Sequence, residues 1–421
     1  MDKLLVTGPS SLKGNVKVSC AKNATLPILA GILLFEKPVV LADIPKLNDV
    51  DTTLKLLQSM GVEVSRNGSE MTLNAAQVPN LVADYALVKT MRASVLVLGP
   101  MLARYGKAKV SLPGGCAIGA RPVDIHLTGL EKMGAKINIE NGYIFAECAR
   151  LKGTTIPLSF PSVGATENLM LAAVYAEGET ILENAAREPE IVDLANFLIA
   201  AGVTVEGAGT SRIHIKGVKP NHGYAFKKPY RPIGDRIEAA TFIIAGLMNN
   251  GHVNVTGFES WTLESVLETL EKMGAKLKRH DNGVEVMPSG RLKGAVIETA
   301  PFPGFPTDVQ AQMMALMCLC DGNSIITEHI FENRYMHVPE LIRMGCKITL
   351  KGNVAVIEGV ERFSAAPVMC TDLRASATLV VAALEAIGTS DIQRIYHLDR
   401  GYENLEAKFQ GLGAKIERVK G

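Results

Sequence analysis

The sequence contains no GxGxxG fingerprint, no GxxxxGK[ST] loop, no HExxH pair and no CxxC pair. Those absences argue against a dinucleotide enzyme, a P-loop nucleotidase and a zinc site. Charge of one sign is missing too: 44 Lys and Arg against 43 Asp and Glu leave a formal net charge of +1. Nothing global therefore draws the chain to nucleic acid or to an anionic membrane. No apolar run reaches membrane-spanning length, and the opening "MDKLLVTGPSSLKGNV" lacks the apolar core of a signal peptide. Seven cysteines, an odd number, are scattered without a disulfide pattern, which suits a reducing cytoplasm. What is there is a well-packed globular composition, 47% hydrophobic and 21% charged, over 421 residues. That length is too great for one ordinary core, so two or three domains are expected.

One phrase returns six times: "QSMGVEV", "EKMGAKI", "IAAGVTV", "EKMGAKL", "IRMGCKI" and "QGLGAKI". Its glycines, Gly61, Gly134, Gly202, Gly274, Gly345 and Gly413, recur about every seventy residues. Each is placed to end an amphipathic helix as a left-handed cap before a strand. Upstream in every repeat lies a second helical stretch, such as "TLPILAGILL" or "IEAATFIIAGLM", apolar on nearly all sides and hence buried all round. Each repeat reads as strand, buried helix, strand, surface helix and a strand pair. The expected fold is α/β, six βαβαββ repeats with helices buried inside and sheets outside. The Pro- and Lys-rich "VKPNHGYAFKKPYRP" at 218–232 breaks the chain after the third repeat. The sixth repeat ends at "KIERVKG" without a partner strand, and the N-terminal "LLVTGP" is the candidate to supply it. The expected domains are 22–229 and 1–21 plus 230–421, with an active site in the cleft between them.

Equivalent loops of a repeat protein occupy equivalent places. Starts of the buried helices carry Lys22 and Asn23, Arg92, Gly164, Asp235 with Arg236, Asp308 and Arg374. Loops before the surface helices carry Arg121, Arg187, Arg334 and Arg400. A cation is electrostatically wrong at a helix N-terminus. For any single arginine, pairing with a carboxylate explains it; for the set, an anion held by helix ends and guanidinium groups explains more. Asp308 is either a helix cap or a general base facing those arginines. His126 and His397 are open between ligand contact and plain surface. Cys318 and Cys320, in an apolar helix, belong to the core; Cys20, Cys148, Cys346 and Cys370 carry no functional reading. Cys116 alone sits in a Gly-rich loop, "PGGCAIGARPVDIH", five residues before Arg121, whose charge favours a reactive thiolate.

That loop, with "AKNATLPIL", "PKLNDVDT", "KTMRAS", "SVGAT", "ENAAREPEIVD", "FPTDVQAQ", "FENRYMHVPEL", "TDLRAS" and "LDRGYE", resembles the UDP-N-acetylglucosamine enolpyruvyl transferases from end to end. The resemblance implies a two-domain inside-out α/β barrel. It implies transfer of the enolpyruvyl group of phosphoenolpyruvate to the sugar 3-hydroxyl with release of phosphate, the first committed step of peptidoglycan synthesis. It implies Cys116 as the acid that protonates the methylene carbon and can carry a phosphoenolpyruvate-derived adduct, the nucleophile alkylated by fosfomycin. Asp308 is implied to take the hydroxyl proton. Lys22, Arg121 and Arg400 match the phosphoenolpyruvate cluster, with Arg334 and Arg374 nearby, and Asn23 matches a contact shared with the sugar. Arg92, the stretch Arg121, Pro122, Val123, Asp124 and Ile125, then Ser162, Val163, Gly164, Asp308 and Ile330 match the nucleotide-sugar pocket. The same resemblance implies no cofactor, no metal, two small-molecule substrates and a cytoplasmic monomer. The chain departs at Phe160 and Pro161, where some members carry a lysine near the diphosphate. The alternatives are the sister transferase acting on shikimate 3-phosphate, which lacks the "PGGC" loop, and a noncatalytic repeat scaffold.

Overall fold

The computed structural model describes residues 2–89, 91–112, 123–220 and 222–421. Cys116, Arg121 and Pro122 lie outside the described residues. The chain divides into two compact units, one holding residues up to Ser19 together with Gly234–Gly421, the other running from Cys20 to Ile233.

In the Cys20–Ile233 unit the buried helices are Lys22–Gly31, Leu98–Tyr105, which continues a 3-10 turn at Arg92–Val97, and Val163–Ala173. In the other unit they are Arg236–Met248, Gln310–Met317 after a 3-10 turn at Thr307–Val309, and Leu373–Glu385. Arg236–Met248 is buried along its whole length, as a helix apolar on every side must be. The three helices of this second set pack against one another. Each unit carries its own hydrophobic cluster, anchored by Phe35 and Phe197 in one and by Phe242 and Phe409 in the other.

The six repeat glycines all adopt positive φ, from 94° at Gly134 and Gly345 to 108° at Gly61. A side chain there meets its own carbonyl, so only glycine ends the helix this way without strain. The strand pairs that follow form the sheets. Among the described residues three sheets lie in each unit, and three of the six draw four strands from a single repeat on one plan. In Thr155–Pro157, Glu179–Glu183, Arg212–Lys216, Thr204–Glu206, the leading strand pairs parallel and the rest pair antiparallel.

The other three involve the chain's own crossings. Lys3–Gly8 lies between Gly388–Gln393 and Lys415–Val419, antiparallel to both, filling the place that the sixth repeat leaves open. Lys13–Lys17 precedes the first buried helix but runs parallel to His252–Thr256 of the fourth repeat. Conversely, the sheet of the first repeat has three strands, and Tyr230, which precedes the fourth buried helix, forms a parallel bridge to its Leu41. Leading strands are thus exchanged between the first and fourth repeats.

The boundary expected at 229 moves for a physical reason. Tyr230 Oη donates to Asp193 Oδ1 at 2.7 Å, Arg231 Nε to Asp43 Oδ2 at 2.7 Å, and Ala21 N to Ile233 O at 2.7 Å. Residues 230–233 are held by the Cys20–Ile233 unit, and residues 20–21 go with them. On the other side, Asp235 N donates to Ser19 O at 2.9 Å.

Candidate active site

In the Cys20–Ile233 unit, Lys22 opens its helix after Ala21, which offers no side-chain cap. An ammonium there opposes the helix dipole. Asp49, from the first turn of Asn48–Met60, compensates: Lys22 Nζ lies 3.2 Å from Asp49 Oδ2, with both side chains mostly buried. Asn23 follows Lys22 and is half-buried. Val123, Asp124 and Ile125 start the Asp124–Lys132 helix, and Ser162, Val163 and Gly164 start Val163–Ala173, with Ser162 Oγ accepting from Ala165 N. Phe160 is exposed.

His126 is not a surface residue, which overturns one of its two readings. It is 5% exposed, and its Nδ1 lies 3.0 Å from Asn168 Nδ2. Asn168 Oδ1 accepts from Gly99 N at 2.7 Å, which fixes the amide's orientation and makes Nδ2 the donor to the ring. His126 Nδ1 therefore accepts, and the ring proton sits on Nε2. Burial, then the nearby Arg92 charge, push this imidazole down to about 4. A Cβ at Gly164 would stand 3.4 Å from His126 Cε1, so the ring lies within contact range of the opening turn of Val163–Ala173. One turn on, Glu167 is buried, and burial with Glu190 and Glu188 holds its carboxyl well above the usual range.

In the other unit, Asp308 does not cap a helix. Pro306 occupies the N-cap position of Thr307–Val309, and no side chain caps it. Instead Asp308 Oδ1 accepts from Arg334 Nη2 at 2.7 Å, and Oδ2 accepts from Arg374 Nε at 3.2 Å and Nη2 at 3.1 Å. Both guanidinium groups are buried, whereas the Asp308 side chain keeps 26% of its surface exposed. Capping falls to Asp235 and Asp372, each accepting from two backbone N–H groups at the head of its own helix. Buried Glu328 orders the surroundings: it accepts from Thr299 Oγ1, from Thr307 Oγ1 and from the backbone N–H of Ile330 and Phe331. That sets Ile330 next to the turn bearing Asp308. Arg400 ends a 3-10 turn at Ile395–Arg400 and, after burial, is the main influence lowering half-buried His397. Arg187 is exposed, and Arg236 lies with its Cζ 5.8 Å from the Phe302 ring centroid.

One unit thus brings Lys22, Asn23 and Asp49 together at one place and Arg92, His126 and Gly164 at another; the other brings together Asp308, Arg334, Arg374 and Ile330. Sequence reasoning missed Asp49, Asn168 and Glu328. Asp49 stood inside a quoted motif, but an aspartate in a helix's first turn is too common to stand out.

A family model for EPSP synthase (3-phosphoshikimate 1-carboxyvinyltransferase) matches residues 6–409. A protein of Shewanella amazonensis called UDP-N-acetylglucosamine 1-carboxyvinyltransferase is 53% identical over 422 residues, covering 100% of both chains. One of the same description from Nitratidesulfovibrio vulgaris is 53% identical over 419 residues, covering 99% of each. The chain belongs to the UDP-N-acetylglucosamine 1-carboxyvinyltransferase family. Members of this family share the broader enolpyruvyl transferase fold. The enolpyruvyl transferase NikO from Streptomyces tendae superposes with a TM-score of 0.89 at 23% identity, covering 100% of this chain and 99% of its own. An EPSP synthase from Acinetobacter baumannii gives 0.78 at 19%, covering 100% of both. At those identities the likeness establishes the two-unit α/β fold and nothing about substrate.

Proposed function

We propose that the chain transfers the enolpyruvyl group of phosphoenolpyruvate to the 3-hydroxyl of UDP-N-acetylglucosamine, releasing phosphate, as an early step of peptidoglycan synthesis. The observation that carries this reading is a partly exposed carboxylate, Asp308, gripped through both oxygens by two buried guanidinium groups. A carboxylate so held is oriented, and its exposed side is available to a substrate hydroxyl.

In the addition step the sugar oxygen bonds to C2 of phosphoenolpyruvate while Asp308 takes the hydroxyl proton and the Cys116 thiol gives a proton to C3. The tetrahedral product then loses a proton from that methyl carbon and expels phosphate from C2, restoring the double bond on the sugar ether. Phosphoenolpyruvate carries a carboxylate and a phosphate, and Lys22, Arg121 and Arg400 are assigned to neutralise them. Arg92, the 121–125 stretch and Ser162 to Gly164 are assigned to the nucleotide sugar. With Phe160 and Pro161 in place of a cation, the N–H groups of the 162–164 turn carry more of the diphosphate. The reaction needs no cofactor. No described helix is long and apolar enough to cross a membrane, and a cytoplasmic monomer fits the substrates.

Phosphate release from phosphoenolpyruvate tests this. Release is expected with UDP-N-acetylglucosamine and not with shikimate 3-phosphate. The opposite preference overturns the substrate, and no release with either overturns the activity.

A further inference from the structure

Beneath Asp308 the Gly234–Gly421 unit holds a polar cluster that no step above uses. Tyr402, Thr241 and Gln312 are fully or almost fully buried. Thr241 Oγ1 donates to Ile237 O at 2.9 Å, and that commits its only proton. The 3.0 Å contact between Thr241 Oγ1 and Tyr402 Oη therefore has the tyrosine as donor. Gln312 Nε2 completes the triangle, donating to Thr241 Oγ1 at 3.2 Å and to Tyr402 Oη at 3.3 Å. Two helices and the loop after Arg400 are thereby tied to one phenol.

The Tyr402 ring faces Arg374, whose Cζ lies 5.5 Å from the ring centroid. Arg374 gives Nε and Nη2 to Asp308, its buried Nη1 has no hydrogen-bond acceptor among the described residues, and the Tyr402 hydroxyl also interacts with its guanidinium. A guanidinium held along one edge only would be able to rotate about its long side chain. An aromatic face held at three points removes that freedom and adds cation–π attraction in a desolvated place.

We infer that Tyr402 is a positioning residue for the transfer reaction, fixing the Arg374 plane and through it the orientation and basicity of Asp308. The inference rests on the reading of Asp308 as the base. Tyr402 itself touches no reacting atom. Without the ring, Arg374 loosens, Asp308 loses part of a cationic neighbour, and its carboxyl holds a proton to higher pH. Other charges bear on the same place. Arg334 faces Asp308 directly, Asp235 acts on both Arg374 and Tyr402, and Asp372 acts on His337 beside Arg334. Glu328 reaches the same turn through Thr307. None of these is removed by changing Tyr402.

The experiment is the pH dependence of kcat for wild type, Tyr402→Leu, Tyr402→Phe and Gln312→Met, with folding checked by circular dichroism. Tyr402→Leu is expected to move the acid limb upward by about half a unit or more and to lower kcat by about tenfold at neutral pH, with both KM values within about threefold. Tyr402→Phe, which keeps the ring but loses the hydroxyl beside Arg374, is expected to move the limb less than Tyr402→Leu does. Gln312→Met, which frees one corner of the triangle, is expected to move it part-way, and it decides the matter should Tyr402→Leu not fold. An unmoved limb in folded Tyr402→Leu, or in Gln312→Met where Tyr402→Leu does not fold, overturns the inference. Asp308→Asn, run in parallel, separates the two readings: turnover with the wild-type acid limb in that variant means Asp308 is not the base, whatever Tyr402 does.

Discussion

Asp308 accepts hydrogen bonds on both oxygens and still presents a quarter of its side chain to solvent. Asparagine has nearly the same shape but cannot take up a proton. Asp308→Asn is expected to lower kcat by at least about 100-fold while UDP-N-acetylglucosamine still binds, read by phosphate release and equilibrium binding. Retained turnover would show that the proton goes elsewhere. The cysteines make a second case. Cys20, Cys318, Cys320, Cys346 and Cys370 are buried, and Cys148 is half-buried. Burial pushes the Cys320 and Cys370 thiols up to about 12 and 11 and raises Cys148 as well, while Cys318 is raised first by its contact with Cys346. Cys148, Cys318, Cys320 and Cys370 thus offer no ready thiolate. Fosfomycin is therefore expected to label Cys116 alone, with Cys116→Ser abolishing the label; peptide mapping that finds another site removes Cys116 from its role. At this scale the sequence shows cations well, because Lys22 and Arg374 stand where a helix dipole disfavours them. It shows their carboxylate partners poorly: Asp49 looks like any first-turn acid, and the pairing of Arg374 with Asp308 spans two repeats.

Among elements, the repeat helices were legible because their glycines recur at a fixed interval and each reaches a backbone angle that other residues resist. The sixth repeat's missing strand was legible for a similar reason, as one vacancy and one spare apolar stretch. Exchange of Lys13–Lys17 and Tyr230 between the first and fourth repeats was not, since partner choice in a sheet is set by tertiary packing more than by local pattern. The His126–Asn168 link between Asp124–Lys132 and Val163–Ala173 has a consequence for acid stability. His126 is neutral in the folded state down to about 4, whereas the unfolded chain protonates it near 6.5. Between those values the unfolded state binds the extra proton, so this residue's stability contribution is complete above 6.5 and falls away as pH drops toward 4. The loss is of order 3 kcal/mol at most. Thermal melts from pH 7 to pH 4 should show a steeper decline for wild type than for His126→Gln, which cannot titrate. Parallel declines would mean that His126 is not held neutral.

For the whole chain, the boundary drawn by hydrogen bonds predicts which fragments stand alone. A fragment of residues 20–233 keeps the Tyr230–Asp193, Arg231–Asp43 and Ala21–Ile233 bonds, all of which a fragment of residues 22–229 loses. The Tyr230–Asp193 and Ala21–Ile233 bonds each contribute about 0.5–1.5 kcal/mol, and the exposed Arg231–Asp43 pair about 0–1 kcal/mol. The longer fragment is expected to melt cooperatively and several degrees above the shorter one by circular dichroism. Equal melting temperatures would place the structural boundary back at 229.

The exchanged N-terminal strands also set a clock. Lys3–Gly8 is made long before its neighbours Gly388–Gln393 and Lys415–Val419. At about 5–20 residues per second, roughly 20–80 seconds of synthesis separate a strand from the sheet that receives it. Residues 20–233 have all their partners long before that and can close while the ribosome is still working. The Cys20–Ile233 unit is therefore able to fold first, and the sheet holding Lys3–Gly8 closes later.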